Sequence, residues 1–253
     1  MEKPVLPELA VQAPYPGHFG FTLRGAFFLN DAPLFEKLLL EVGCAQWTCL
    51  LGPSGIGKST LLRLCAGLPT HGRFAGSITT SDGEPIAGRI SYMAQSDLLF
   101  PWLDVRQNVL LGQRLRREPA SVNRADDLIH QVGLRQHAHK RPHQLSGGMR
   151  QRVALARTLM EDKPVVLLDE PFSALDFRTR SEMQDLAFNS LSGKTVLLVT
   201  HDPAEAIRLS HQLYVMSEQG MLSYDTPETI PVRALDHPTT LEAQARLLSV
   251  LRS

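Results

Sequence analysis

The chain has 253 residues, of which 43% are hydrophobic and 21% charged, with Lys+Arg and Asp+Glu balanced at 26 each. Those values suit one large globular domain, or a core with a smaller insert, and the charge balance excludes the basic excess of a general nucleic-acid binder. Three cysteines, Cys44, Cys49 and Cys65, without a C-x-x-C pair, fit neither a disulfide framework nor a zinc site; they suit small buried hydrophobes in a reducing compartment.

Residues 1–17 hold Pro4, Pro7, Pro14 and Pro16 without an apolar signal core, and read as an irregular lead-in. No apolar run approaches the ~18 residues of a membrane helix, so work at a membrane would need other chains to span it. Residues 48–51 form a short apolar run ending at a glycine loop, and residues 61–66 read as a helix stopped by Gly67. Residues 90–94, 165–168 and 196–199 are strand-like runs, and the last two are continuously apolar, as in strands buried on both faces of a parallel sheet. Polar residues end each of them. The architecture expected is therefore α/β, with chemistry delivered at the carboxyl edge of a mostly parallel sheet.

Between about 96 and 150 the pattern turns helical. Ala125, Leu128, Ile129 and Val132 recur at helical spacing before Gly133, and residues 149–160 carry the stripe Val153, Ala156, Met160. Arg114, Arg116, Arg117, Arg135, Lys140 and Arg141 make this insert locally basic, which reads first as a solvated face. Residues 213–216 and 221–224 flank a turn and read as an antiparallel hairpin. Leu241, Ala245, Leu248 and Val250 point to a final amphipathic helix over about 238–251. The expected division is one domain over 18–253, with its core in 18–95 and 151–230.

Gly52, Pro53, Ser54, Gly55, Ile56, Gly57, Lys58 and Ser59 match G-x-x-x-x-G-K-[ST]. Successive backbone N–H groups of such a loop turn inward as an anion nest, aided by the dipole of the following helix. Lys58 would reach the β- and γ-phosphates of ATP and Ser59 would place its hydroxyl on Mg²⁺. The run after residue 165 ends in Asp169 and Glu170: the first can hold Mg²⁺ directly or through water, and the second can deprotonate an attacking water. His201 follows the next apolar run, poised for a γ-phosphate contact. Gln95, after the run from 90, is a neutral group that could touch Mg²⁺ or water.

At Leu145-Ser-Gly-Gly-Met149 the chain resembles the signature motif of ABC-transporter ATPases. The resemblance extends from about residue 20 to 230, with the phosphate loop, Gln95, the signature, residues 165–170, Ser173-Ala-Leu-Asp176 and His201 in the family's order. It implies an ATPase on a P-loop fold, with antiparallel β elements and an inserted helical subdomain. It implies that Lys58, Ser59 and Thr60 bind phosphates and Mg²⁺, that Gln95 links the site to a membrane permease, and that Glu170 is the general base. Asp176 would lie in a loop that meets a second subunit. Ser146, Gly147 and Gly148 would bind the γ-phosphate of ATP held by that subunit, so a head-to-tail dimer is expected. Met149 departs from the family's usual glutamine, although similar importer subunits share it. The family's adenine-stacking aromatic falls near Phe27, Phe28 and Leu29, with Phe28 the preferred candidate.

Residues 97–105 (Asp-Leu-Leu-Phe-Pro-Trp-Leu-Asp-Val) look like a stretch of importers for nitrate, sulfonates and taurine, with importers of thiamine and its pyrimidine precursors nearby. Phe100, Pro101 and Trp102 could then line a socket for the permease, or Trp102 could pack within the insert. The resemblance thus implies a peripheral ATPase on the cytoplasmic face of the inner membrane, an indirect substrate-binding protein partner and no nucleic acid. A soluble ABC ATPase uncoupled from transport is the alternative; a small-molecule kinase would have no use for the signature. His137, His139 and His143 form H-x-H-x₃-H, a spacing in which metal binding is conceivable.

Overall fold

A computed structural model describes residues 17–217 and 220–252; residues 1–16 of the expected lead-in lie outside the described residues. The strands are β1 (Phe21–Leu29), β2 (Ala32–Val42), β3 (Trp47–Leu51), β4 (Arg73–Thr80), β5 (Ile90–Met93), β6 (Val165–Asp169), β7 (Thr195–Thr200), β8 (Gln212–Ser217) and β9 (Gly220–Tyr224). The helices are α1 (Lys58–Cys65), α2 (Val105–Val109), α3 (Leu111–Leu115), α4 (Val122–Gln131), α5 (Gly147–Met160), α6 (Phe177–Ser190), α7 (Pro203–Leu209) and α8 (Pro238–Arg252).

Two sheets organise the chain. A six-stranded sheet has the order β5-β6-β7-β3-β8-β9, parallel throughout except for β9. A three-stranded antiparallel sheet, β2-β1-β4, is hydrogen-bonded separately from it. The central strands are apolar on both faces because both faces are covered. Val166, Leu168, Val196 and Leu198 pack into a cluster with α4, α5, α6 and α7. Val165, Leu167, Leu197 and Val199 pack with α1 and the antiparallel sheet through Leu61, Leu62, Phe21 and Leu40. Each such fully buried side chain contributes ~1.5–3 kcal/mol relative to an exposed one.

The insert has no separate core: Val105, Ala125, Ile129 and Val132 join the same cluster as the sheet's helical face. Its first helix is set by Asp104, which caps α2 by accepting from the Gln107 amide at 2.7 Å. Asn108, fully buried, closes the preceding turn by accepting from Phe100 N at 2.8 Å and donating to Leu103 O at 3.1 Å. Arg114, Arg116, Arg117, Arg135 and Arg141 are exposed, and Arg116 pairs with Glu118 and Glu161, in keeping with a solvated face. The C-terminal helix forms where expected but turns a different face inward. Ala243 and Leu247 are buried, whereas Leu241 is 50% and Val250 46% exposed. The inward face is the i, i+4 pair that meets α7, and the longer apolar stripe read from sequence is left on the outside.

Candidate active site

Strands β6, β7 and β3 are adjacent and parallel, so the phosphate loop, the Asp169–Glu170 pair and His201 emerge at one edge. Gln95 follows β5, the next strand along. The helix α1 begins at Lys58 itself, three residues earlier than its apolar pattern suggests, which puts its amino end inside the loop. Gly57 is left-handed at φ 105, and a Cβ there would meet the Phe35 ring at 2.7 Å, so a side chain there would be strained. Gly52 has a different reason, because a Cβ there would lie 2.6 Å from the Met216 carbonyl oxygen of β8. Pro53, Ser54 and Gly55 are exposed at the loop's tip, and Thr60 is half-buried in the first turn of α1.

Lys58 is 5% exposed and donates from Nζ to the carbonyls of Gly52 and Pro53, both at 2.8 Å. Burial lowers its pKa, opposed by the nearby charges of Glu170 and Asp169. Ser59 Oγ donates to Asp169 Oδ1 at 3.1 Å, and Tyr92 Oη donates to Asp169 Oδ2 at 3.3 Å. Burial raises the Asp169 pKa, and the two hydroxyls offset that only in part. A buried carboxylate served by neutral donors, beside a serine hydroxyl, is a donor set that fits Mg²⁺. Ser59, Gln95 and Asp169 also line one open cleft of about 570 Å³, together with Tyr92 and Arg63.

Glu170 is 8% exposed and has a left-handed backbone at φ 48, unusual for a side chain of this kind. Its amide donates to Val199 O at 2.9 Å. Its Oε2 accepts from Gln95 Nε2 at 3.1 Å and lies 3.1 Å from His201 Nδ1. The carboxylate thus sits between the Gln95 amide and the His201 imidazole.

Ser146, Gly147 and Gly148 lie elsewhere. Ser146 caps α5, its hydroxyl accepting from Met149 N at 3.2 Å. Among the described residues no hydrogen bond joins these three to the phosphate loop. Gly148 instead packs near Ala174 and Leu175. Asp176 caps α6, accepting from Thr179 N at 3.0 Å, and those amide bonds lower its pKa. Phe27 is core, its ring tilted against that of Phe35 at 5.9 Å, while Phe28 is half-buried with the Arg73 guanidinium 4.5 Å above its ring. Trp102 is 65% exposed and touches Phe100, ring centroids 5.1 Å apart, so it does not pack away inside the insert. Among the described residues no group of three metal-ligating side chains forms, so the histidines of 137–143 do not assemble a metal site.

Two residues at this site went unread in the sequence. Tyr92 alternates with buried Ser91 and Met93 along β5, which turns it toward Asp169. Gln151 is a polar residue at helical spacing with Leu155 and Thr158 on the buried face of α5; a lone amide on such a face is the signal that could have found it.

Loop, lysine and paired carboxylates at a parallel sheet edge define a P-loop ATPase. The family model for ABC transporters matches residues 35–173, and the chain belongs to that family. It is 50% identical to an uncharacterized ABC transporter ATP-binding protein of Haemophilus influenzae, over 88% of this chain and 94% of that one. It is 46% identical to an aliphatic sulfonates import ATP-binding protein of Rhodococcus jostii, over 76% of each. A solved dimeric bacterial ABC transporter cassette superposes with a TM-score of 0.68 at 26% identity, covering 85% of this chain and 99% of that one. The chain is accordingly an ATP-binding subunit of that family, and an ATPase.

Proposed function

We propose that this ATPase powers import of a small molecule, of the nitrate, sulfonate or taurine type or a thiamine precursor, through a membrane permease. The observation that carries the catalytic reading is Glu170 Oε2, 3.1 Å from both Gln95 Nε2 and His201 Nδ1 and next to the buried Asp169. Glu170 is the general base that takes the proton of the attacking water. Lys58 exchanges its two loop carbonyls for phosphate oxygens, with Gly52, Pro53, Ser54, Gly55, Gly57 and Thr60 cradling them. Ser59 and Asp169, with Gln95 alongside, would hold Mg²⁺, which would neutralise phosphate charge. His201 contacts the γ-phosphate from the other side of Glu170, and adenine stacks on Phe28.

Ser146, Gly147 and Gly148 form a second anion nest at the start of α5, facing the ATP of a second copy, with Asp176 on the same surface. The likeness to a dimeric cassette supports pairing of two copies. The exposed Phe100 and Trp102 meet the permease. No helix among the described residues is long and apolar enough to cross a membrane, which fits peripheral attachment at its cytoplasmic face. The sulfonate import relative supports the cargo class, and a substrate-binding protein would deliver it.

The test is isolation of the tagged chain from membranes of its own source. A permease should co-purify, and transport-dependent ATP hydrolysis should respond to one of these cargoes. Recovery with ribosomes instead of a permease would mark a soluble ABC ATPase and overturn the reading.

A further inference from the structure

The loop that follows β6 carries Glu170 in its left-handed conformation, and a side chain from another element fastens it. Gln151 belongs to α5, the helix that begins at the signature nest, and is 6% exposed. Its Nε2 donates to the Glu170 carbonyl at 3.0 Å and to Ser173 Oγ at 3.3 Å. Its Oε1 accepts from Ala174 N at 2.9 Å. The same Glu170 carbonyl takes a second bond from Ser173 Oγ at 3.0 Å. One amide therefore satisfies both ends of the turn between Glu170 and Ala174 and holds a peptide whose φ of 48 is otherwise disfavoured.

The geometry points to Gln151 as a positioning residue: it ties the backbone of Glu170 to the signature helix, so the aim of the base depends on where that helix sits. The inference rests on the reading of Glu170 as general base and of the signature as a contact for a second copy's ATP. On that reading each chain touches two ATP molecules, one through its phosphate loop and one through its signature. Gln151 is then the intrachain link between them. Movement of α5 against one nucleotide shifts the carbonyl of the residue that acts on the other.

Loss of the bond to the Glu170 carbonyl predicts a ~10-fold or larger fall in kcat, with the KM for ATP held within about twofold because, among the described residues, the Gln151 side chain bonds to Glu170, Ser173 and Ala174 and not to the phosphate loop. The experiment uses the full chain carrying Gln151→Leu, Gln151→Glu and Glu170→Gln, alone and combined. Gln151→Glu keeps the acceptor for Ala174 N and replaces the donor by a carboxylate oxygen facing the Glu170 carbonyl, so it breaks the same bond with a side chain of similar size and gives a second variant beside Gln151→Leu. ATP-analogue binding is measured beside steady-state phosphate release. The expected result is lowered kcat with unchanged binding in either Gln151 variant, and no further loss when it is added to Glu170→Gln. A Gln151 variant that turns over like the unaltered chain, or one that lowers the residual rate of Glu170→Gln as much as the normal rate, overturns the proposal. Near-normal turnover by Glu170→Gln alone would instead reject the base assignment beneath it.

Discussion

His201 Nδ1 lies 3.1 Å from Glu170 Oε2, a contact between the residue after β7 and the residue after β6. The two strands are hydrogen-bonded neighbours, with Asp169 opposite Val199. Register alone therefore brings the histidine and the carboxylate together.

If that carboxylate accepts the proton of water, Glu170→Gln keeps the shape and the His201 and Gln95 contacts but removes the base. Turnover should fall ~10²-fold or more while ATP binding persists. Phosphate release and analogue binding on the same preparation check both halves, and hydrolysis near the normal rate would reject the assignment.

Lys58 is buried and donates to the loop carbonyls of Gly52 and Pro53. Lys58→Ala removes a cation from the phosphate loop. ATP affinity should weaken ~10–100-fold, the equivalent of one lost charge-assisted contact. Calorimetry with the magnesium-bound nucleotide reads this directly, and the fold should be unaffected by circular dichroism.

Ser146 caps α5 on a surface apart from its own phosphate loop. In a head-to-tail dimer, Lys58→Ala and Ser146→Arg subunits should each be inactive alone. Mixed, they retain one intact site built from the unmutated halves and should regain measurable ATP-driven dimer. A mixture no better than either variant would rule out action in trans.

Glu205 is buried on α7. Its Oε2 takes the Thr200 hydroxyl at 2.5 Å, while its Oε1 has no hydrogen-bond partner among the described residues. Burial pushes its pKa from 4.5 to about 8, aided by Asp202 and opposed by Thr200 and Arg180. The folded chain therefore holds a proton that the unfolded chain loses near 4.5. This raised pKa contributes stability that is full below 4.5 and is lost as pH rises to about 8. Melting temperature should fall between pH 6 and 8.5, and Glu205→Gln should flatten that fall. An unchanged slope in the variant would locate the pH dependence elsewhere.

Trp102 is 65% exposed and rests on Phe100. Trp102→Ala should alter folding stability by no more than ~0.5 kcal/mol, as surface substitutions do, and leave basal ATPase activity unchanged. Co-purification of a permease should drop sharply. Full retention of the permease would take this pair out of the docking surface.

Much of this was legible in the order of residues. The phosphate loop, Asp169 and Glu170 could be read because their chemistry depends on short local spacing: glycines before a lysine, carboxylates at the end of an apolar strand. The central strands were legible for the same reason, since a strand covered on both faces must be apolar at every position. The tertiary structure decided what depends on distant packing. Tyr92 reaches Asp169 only because β5 pairs with β6. The inward face of α8 was set by α7 and not by the apolar stripe of α8 itself. Gln151 stands 19 positions from Glu170 and meets its carbonyl only once α5 has packed against the sheet. A side-chain amide carries no mark of the backbone group it will satisfy, so its partner exists only in the folded chain.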